Sequence, residues 1–150
     1  MASVYTTQEA ILGNIQMADL VALTDDSPAT GQLNVDVLAQ VIANAGGVID
    51  MYCANIYGEQ IPFNPVPPSV ANMALTIACY MLLERREVPM EKNKFSGRYN
   101  FAINFLEKVN TGDAHISDVT LRDFPQGALI SQPTIFGNQP FAGGRISSSM

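Results

Sequence analysis

Apolar residues spaced three and four apart, recurring through three long stretches, restrict this chain more than any other feature. In the first, about Val35–Tyr57, Leu38, Val41, Ile42, Ala45, Ile49, Tyr52 and Ile56 share one helical face, with Asn34 placed to cap it. In the second, Pro68 to Glu87, the face is Val70, Met73, Ala74, Ile77, Tyr80 and Met81. Pro68 suits a first turn, where a missing N–H is harmless, and Arg85 and Arg86 suit the negative end of the helix dipole. Such a rod is about 30 Å long. The third stretch, about Lys92–Thr111, presents Phe95, Tyr99, Ala102, Ile103, Leu106 and Val109, and Gly112 stops it. A strand would need a period of two, so the expected fold is mainly α: a small helical bundle of three long helices plus a short N-terminal helix, with an extended C-terminal arm.

The N-terminal helix is read over about Thr7–Leu23, capped by Thr6 or Thr7 and carrying Ile11, Leu12 and Ile15; Gly13-Asn14 breaks it into two pieces. Gly46-Gly47 inside the second stretch costs roughly 1 kcal/mol per residue relative to Ala, an expense expected where another helix approaches closely. Gly58 should end that helix, and the proline-rich link Ile61–Pro68 leads to the next. Domain boundaries follow: a helical body over 1–118 and an arm over 119–150. Tyr52, Tyr80, Tyr99 and Leu106 are the expected core or interface anchors.

The apolar fraction of 47% supports a real core, whereas charged residues make up only 15%, low for a molecule that keeps its whole surface in water. Hidden surface against other chains is the expectation. Of the net charge of −6, residues 1–118 carry −7 and residues 119–150 carry +1. A body so acidic has no footprint for gripping DNA phosphates, although it can surround a duplex and let it slide.

Groups able to carry chemistry are few. His115 is the only histidine and follows a helix stop, so a surface turn explains it better than a catalytic base. The acidic loop Asp25–Asp36 resembles a calcium loop in length. Ala29, however, cannot ligate through its side chain, Thr30 stands where the sharp-turn glycine belongs, and Asp36 replaces the closing glutamate. Cys53 and Cys79 lie in apolar helical stretches without a CxxC neighbour and read as buried thiols. No phosphate-cradling glycine loop followed by a helix occurs, and Arg85-Arg86, Lys92 and Lys94, interleaved with acids, read as a solvated or inter-subunit face. No catalytic, cofactor or metal residue is therefore expected, and the chain is read as no enzyme. Met1–Thr7 lacks the basic start and apolar run of a signal peptide. Gln60–Leu83 is free of charge, but its prolines leave an apolar helix too short to span a membrane, so no membrane partner is expected.

Past Asp118 three prolines, four glycines and two β-leaning runs occur with only three charges. Extended, this segment reaches on the order of 100 Å. Leu129, Ile130, Ile135, Phe136 and Phe141 make it more apolar than a solvated tail requires, and they are the candidate residues of an arm that orders against a partner.

An ordered set of short pieces covers about residues 4–112: Val4-Tyr5-Thr6-Thr7, Leu23-Thr24-Asp25, Val48-Ile49-Asp50-Met51-Tyr52, Ile56-Tyr57, Ile61-Pro62, Val66-Pro67-Pro68, Ile77-Ala78-Cys79-Tyr80-Met81-Leu82, Arg98-Tyr99-Asn100-Phe101-Ala102 and Phe105-Leu106-Glu107-Lys108-Val109. In these the chain resembles a family of phage Mu-like head-region proteins, which is similar in turn to the helical head–tail connector adaptors of long-tailed bacteriophages. It departs from the family's pattern at Ala54-Asn55, where members often carry a small residue and Arg, and in its Gly46-Gly47 pair. The resemblance implies a dodecameric adaptor ring in the virion neck, assembled in the host cytoplasm. The ring would sit between the portal and a stopper or tail-terminator protein, with DNA passing through without sequence-specific binding. By analogy with such adaptors, the arm residues would dock on the portal. A tail-completion or stopper protein is the alternative within the same particle, although those are more often β-rich. A small hydrolase or metal-binding regulator is the alternative outside it.

Overall fold

The computed structural model describes residues 3–26 and 31–119, and contacts group residues 1–119 into one compact unit. Five α-helices follow in order: α1 (Gln8–Leu12), α2 (Met17–Thr24), α3 (Val35–Tyr57), α4 (Pro68–Arg85) and α5 (Ser96–Thr111). Among the described residues there is no strand, as the helical period demands. The three long helices pack against one another in every pairing, and α1 and α2 lie on α4. Asn55 near the end of α3 donates to the Asn110 carbonyl near the end of α5, so these two run side by side in the same direction. α4 packs against both.

The N-terminal stretch is two helices, divided at Gly13. The Thr7 hydroxyl accepts the Ala10 N–H and starts α1. The Asn34 side chain accepts the N–H groups of Asp36 and Val37 and starts α3. Gly58 does not stop α3 by turning left-handed: it keeps a right-handed conformation and opens a 3-10 turn over Gly58–Gln60. The Ile61-Pro62 and Asn64-Pro65 peptides in the link are cis. Pro68 occupies the first turn of α4, and Gly112 closes α5 with φ +88°. α5 begins at Ser96 rather than Lys92, because Met90–Lys92 form a 3-10 turn and the buried Asn93 side chain accepts the Phe95 N–H.

The interior lies around α4, where Ile77, Ala78, Cys79 and Tyr80 are all buried in succession. A helix enclosed by four neighbours needs no polar stripe, which explains why its apolar residues spill beyond a single face. On α3 the buried line turns from Ile49 to Cys53 and Tyr57, each four residues on, rather than to Tyr52 and Ile56, which are half-buried. Tyr57 and Phe95 are the largest fully buried side chains. Burial of a group of this size contributes about 1.5–3 kcal/mol.

Arg85 and Arg86 close α4 and remain exposed, and from there they also bind the end of α2. Arg85 donates to the Leu23 carbonyl at 2.7 Å and pairs with Asp26 at 3.0 Å; Arg86 donates to the carbonyls of Ala22 and Asp25. The last carbonyls of α2, left without helical partners, thereby receive cationic donors from α4. Gly46 likewise does something other than admit a helix. A Cβ there would stand 2.0 Å from the Ser3 carbonyl oxygen, so the residue admits the N-terminal backbone, while Gly47 faces open space.

Candidate functional site

Of the expected anchors, Tyr80 is 6% exposed and Leu106 is fully buried. Tyr80 and Tyr99 stack with ring centroids 3.8 Å apart and planes 10° from parallel, and Tyr99 and Tyr52 are half-buried. Burial, then the neighbouring Tyr80, Glu84 and Tyr52, raises the Tyr99 phenol above its ordinary pKa. The proposed arm residues Leu129, Ile130, Ile135, Phe136 and Phe141 lie outside the described residues.

Three polar nodes hold the body, and periodicity did not mark them. The first is Asp50 on α3, which accepts the hydroxyls of Ser3 and Tyr5; the Tyr5 oxygen in turn accepts the Phe63 N–H at 3.2 Å. Burial and the Asp50 carboxylate push the Tyr5 phenol up to about 12. In the second, the Tyr57 hydroxyl accepts the Ile116 N–H at 2.9 Å, and the Tyr57 ring meets Phe63 edge-on. The third is Asp118, which accepts both the N–H and the hydroxyl of Ser69 at the start of α4. With Pro67 in the N-cap position α4 has no side-chain cap of its own, and a distant carboxylate supplies one.

Surface features are mostly apolar. Phe101, on the outward side of α5, is 75% exposed. It borders a shallow groove of about 310 Å³ between α4 and α5, lined also by Met73, Thr76, Gly97, Arg98 and Ala102. Met51 and Val35 are exposed on α3. A second hollow of about 300 Å³ lies between α2 and the end of α4, where Leu23, Leu83 and Val88 meet Asp19, Arg86 and Lys94. Helical periodicity could have found Phe101, which departs from the inward line of α5 formed by Ala102, Leu106 and Val109.

His115 is exposed beyond the end of α5. Burial pushes the Cys53 thiol up to about 12 and the Cys79 thiol to about 11, which keeps both protonated and unreactive at neutral pH. In the acidic loop, the Asp25 carboxylate accepts the Gly31 N–H and Asp26 holds Arg85. Among the described residues no group of three His, Cys, Asp or Glu is arranged to hold a metal ion. One described helical span, Val35–Gln60, is long and apolar enough to cross a membrane, but α3 serves as a wall of the bundle against α4 and α5.

Fold and surface together define a class of small helical bundles with apolar side chains left uncovered on outward faces. The family described as Bacteriophage Mu, Gp36 matches residues 5–126, and the chain belongs to it, which makes it a phage structural or morphogenetic protein. The match runs past residue 112, where the resemblance read from short pieces ends. No curated protein matches the sequence. Several of the pieces carrying that resemblance hold the body together: Tyr5 and Asp50 form one node, Tyr57 another, and Tyr80 stacks on Tyr99.

Proposed function

We propose that the chain is a structural, non-enzymatic connector subunit of a phage virion, an adaptor in the neck between the portal and the downstream stopper or tail proteins. Copies surround the DNA channel as a ring, dodecameric by the likeness to adaptors, and assembly takes place in the host cytoplasm. The observation that carries this reading is the match to the phage family over residues 5–126, and Phe101, 75% exposed beside an apolar groove, is consistent with it. Exposed apolar surface beyond a scattered few residues is characteristic of a surface awaiting another chain. The acidic balance of the body fits a lining that DNA passes without being held.

Imaging of the intact particle, with the chain located by a fused tag, tests the placement. Density in a ring under the portal is expected; a location at the tail tip, or absence from mature particles, overturns it. The arm residues Leu129, Ile130, Ile135, Phe136 and Phe141 make the portal contact in this proposal. A chain cut after Asp118 should therefore fail to join the portal in pull-down, and normal joining would remove the arm from the account.

A further inference from the structure

The residues after α5 and the start of α4 meet at one end of the bundle. Ile116 is 1% exposed and gives its N–H to the Tyr57 hydroxyl. Asp118 accepts the hydroxyl and N–H of Ser69, and the Val119 N–H closes a turn on the Ile116 carbonyl at 3.0 Å. Farther along α4, Tyr80 stacks on Tyr99 and its carbonyl accepts the Asn93 side chain, so α4 and α5 run antiparallel. The described body therefore ends, at Val119, beside the first turn of α4.

That first turn leads into the groove beside Phe101. Ser69, Asn72, Met73 and Thr76 follow at helical spacing and share one face of α4, and the last three line the groove. Gly97, Arg98, Phe101 and Ala102 of α5 form the facing wall. Positive charge begins late in this chain, with no Lys or Arg before Arg85. Arg85 and Arg86 are engaged with the end of α2. Arg98 instead lies over the Phe95 ring at 5.0 Å and makes no ion pair among the described residues. The groove thus offers apolar walls with a cation at the end away from Ser69.

We propose that this groove is the seat of the residues that follow Val119 in the same chain, with Leu121 against Met73 and Ala102 and the Asp123 carboxylate on Arg98. Length and chemistry select this occupant. Along the helix, Ser69 to Met73 is about 6 Å and Ser69 to Thr76 about 10 Å. An extended chain covers about 7 Å from Val119 to Leu121 and about 13 Å to Asp123, and it places both side chains on one side. Asp123 is the one acid past Asp118, which matches it to the cation of the groove. The family match runs on through this stretch to Gln126 instead of ending with the helices. Leu129, Ile130, Ile135, Phe136 and Phe141 come later in the chain, so the inference is separate from the portal contact and does not rest on the connector reading.

The sequence has no tryptophan, so full-length chain carrying Phe101→Trp has a single reporter at the rim of the groove. Its emission should be blue-shifted from that of free tryptophan. Adding Leu121→Asp should return it to the solvent wavelength while circular dichroism keeps the helical signal. Asp123→Arg should do so in part, and pairing it with Arg98→Asp should restore the blue emission. Thiols introduced by Met73→Cys and Leu121→Cys should join within one molecule on mild oxidation at low protein concentration. Cys53 and Cys79 are buried and stay out of that reaction. Emission already at the solvent wavelength in the full chain, emission that Leu121→Asp leaves blue, or a charge swap that restores nothing overturns the seat. So does the absence of a disulfide, or one that joins two molecules, which would give the groove to a neighbouring copy.

Discussion

At position 46 the chain admits a hydrogen and nothing larger, since the Ser3 carbonyl lies where a methyl would stand. Its neighbour Gly47 faces open space. Gly46→Ala should lower unfolding stability by about 1–3 kcal/mol, the usual scale for overpacking, while Gly47→Ala should raise it by about 0.5–1 kcal/mol through helix propensity. Chemical denaturation of the two variants checks both signs. The Thr6 hydroxyl is buried without a partner, so Thr6→Val should be neutral or stabilising by about 1 kcal/mol in the same assay. Asp118 supplies a pH dependence. Its hydrogen bonds from the Ser69 hydroxyl and N–H hold its carboxyl below the ordinary value. A carboxylate depressed on folding stabilises at pH values above its unfolded pKa and loses that contribution as pH falls through the lowered folded value. The wild type should therefore melt above Asp118→Asn at neutral pH, and the gap should close below about pH 4. Equal melting temperatures at neutral pH would remove the cap.

Helices were legible because burial imposes their period on the sequence. α3 spans the residues that the spacing and Asn34 indicate, and Gly112 closes α5 as its position suggests. Their ends and rotations were less legible. Tyr52 and Tyr57 both fit an apolar line of threes and fours, and only the edge of Phe63 and the Ile116 N–H select Tyr57 for the interior. The candidate surface was partly legible, since Phe101 falls off the inward line of Ala102, Leu106 and Val109, but its 75% exposure needed the neighbours of α5. Gly46-Gly47 signalled a close approach but not what approaches. Arg85 and Arg86 looked like ends of their own helix, and their carbonyl partners lie some sixty residues earlier in sequence. Replacing both with Met should loosen α2 selectively. Hydrogen exchange should speed up in Met17–Thr24 while α3 and α5 keep their protection; uniform loss across all helices would show a global effect instead.

For the molecule as a whole, the ring proposed above would tie stability to concentration. A contact that exists only between folded copies raises the melting temperature as protein is added. Wild-type melting should therefore climb with concentration if copies associate; a concentration-independent wild type would count against any self-contact. The confinement of Lys and Arg to Arg85 onward has a practical outcome at the same scale. Trypsin finds no cleavage site in more than half of the chain, however loosely the N-terminal residues are held. Chymotrypsin finds one at Tyr5, whose ring is shut away wherever the Ser3 backbone rests on Gly46. Digestion by the two enzymes in parallel thus separates unlatching of the N-terminus from unfolding of the bundle.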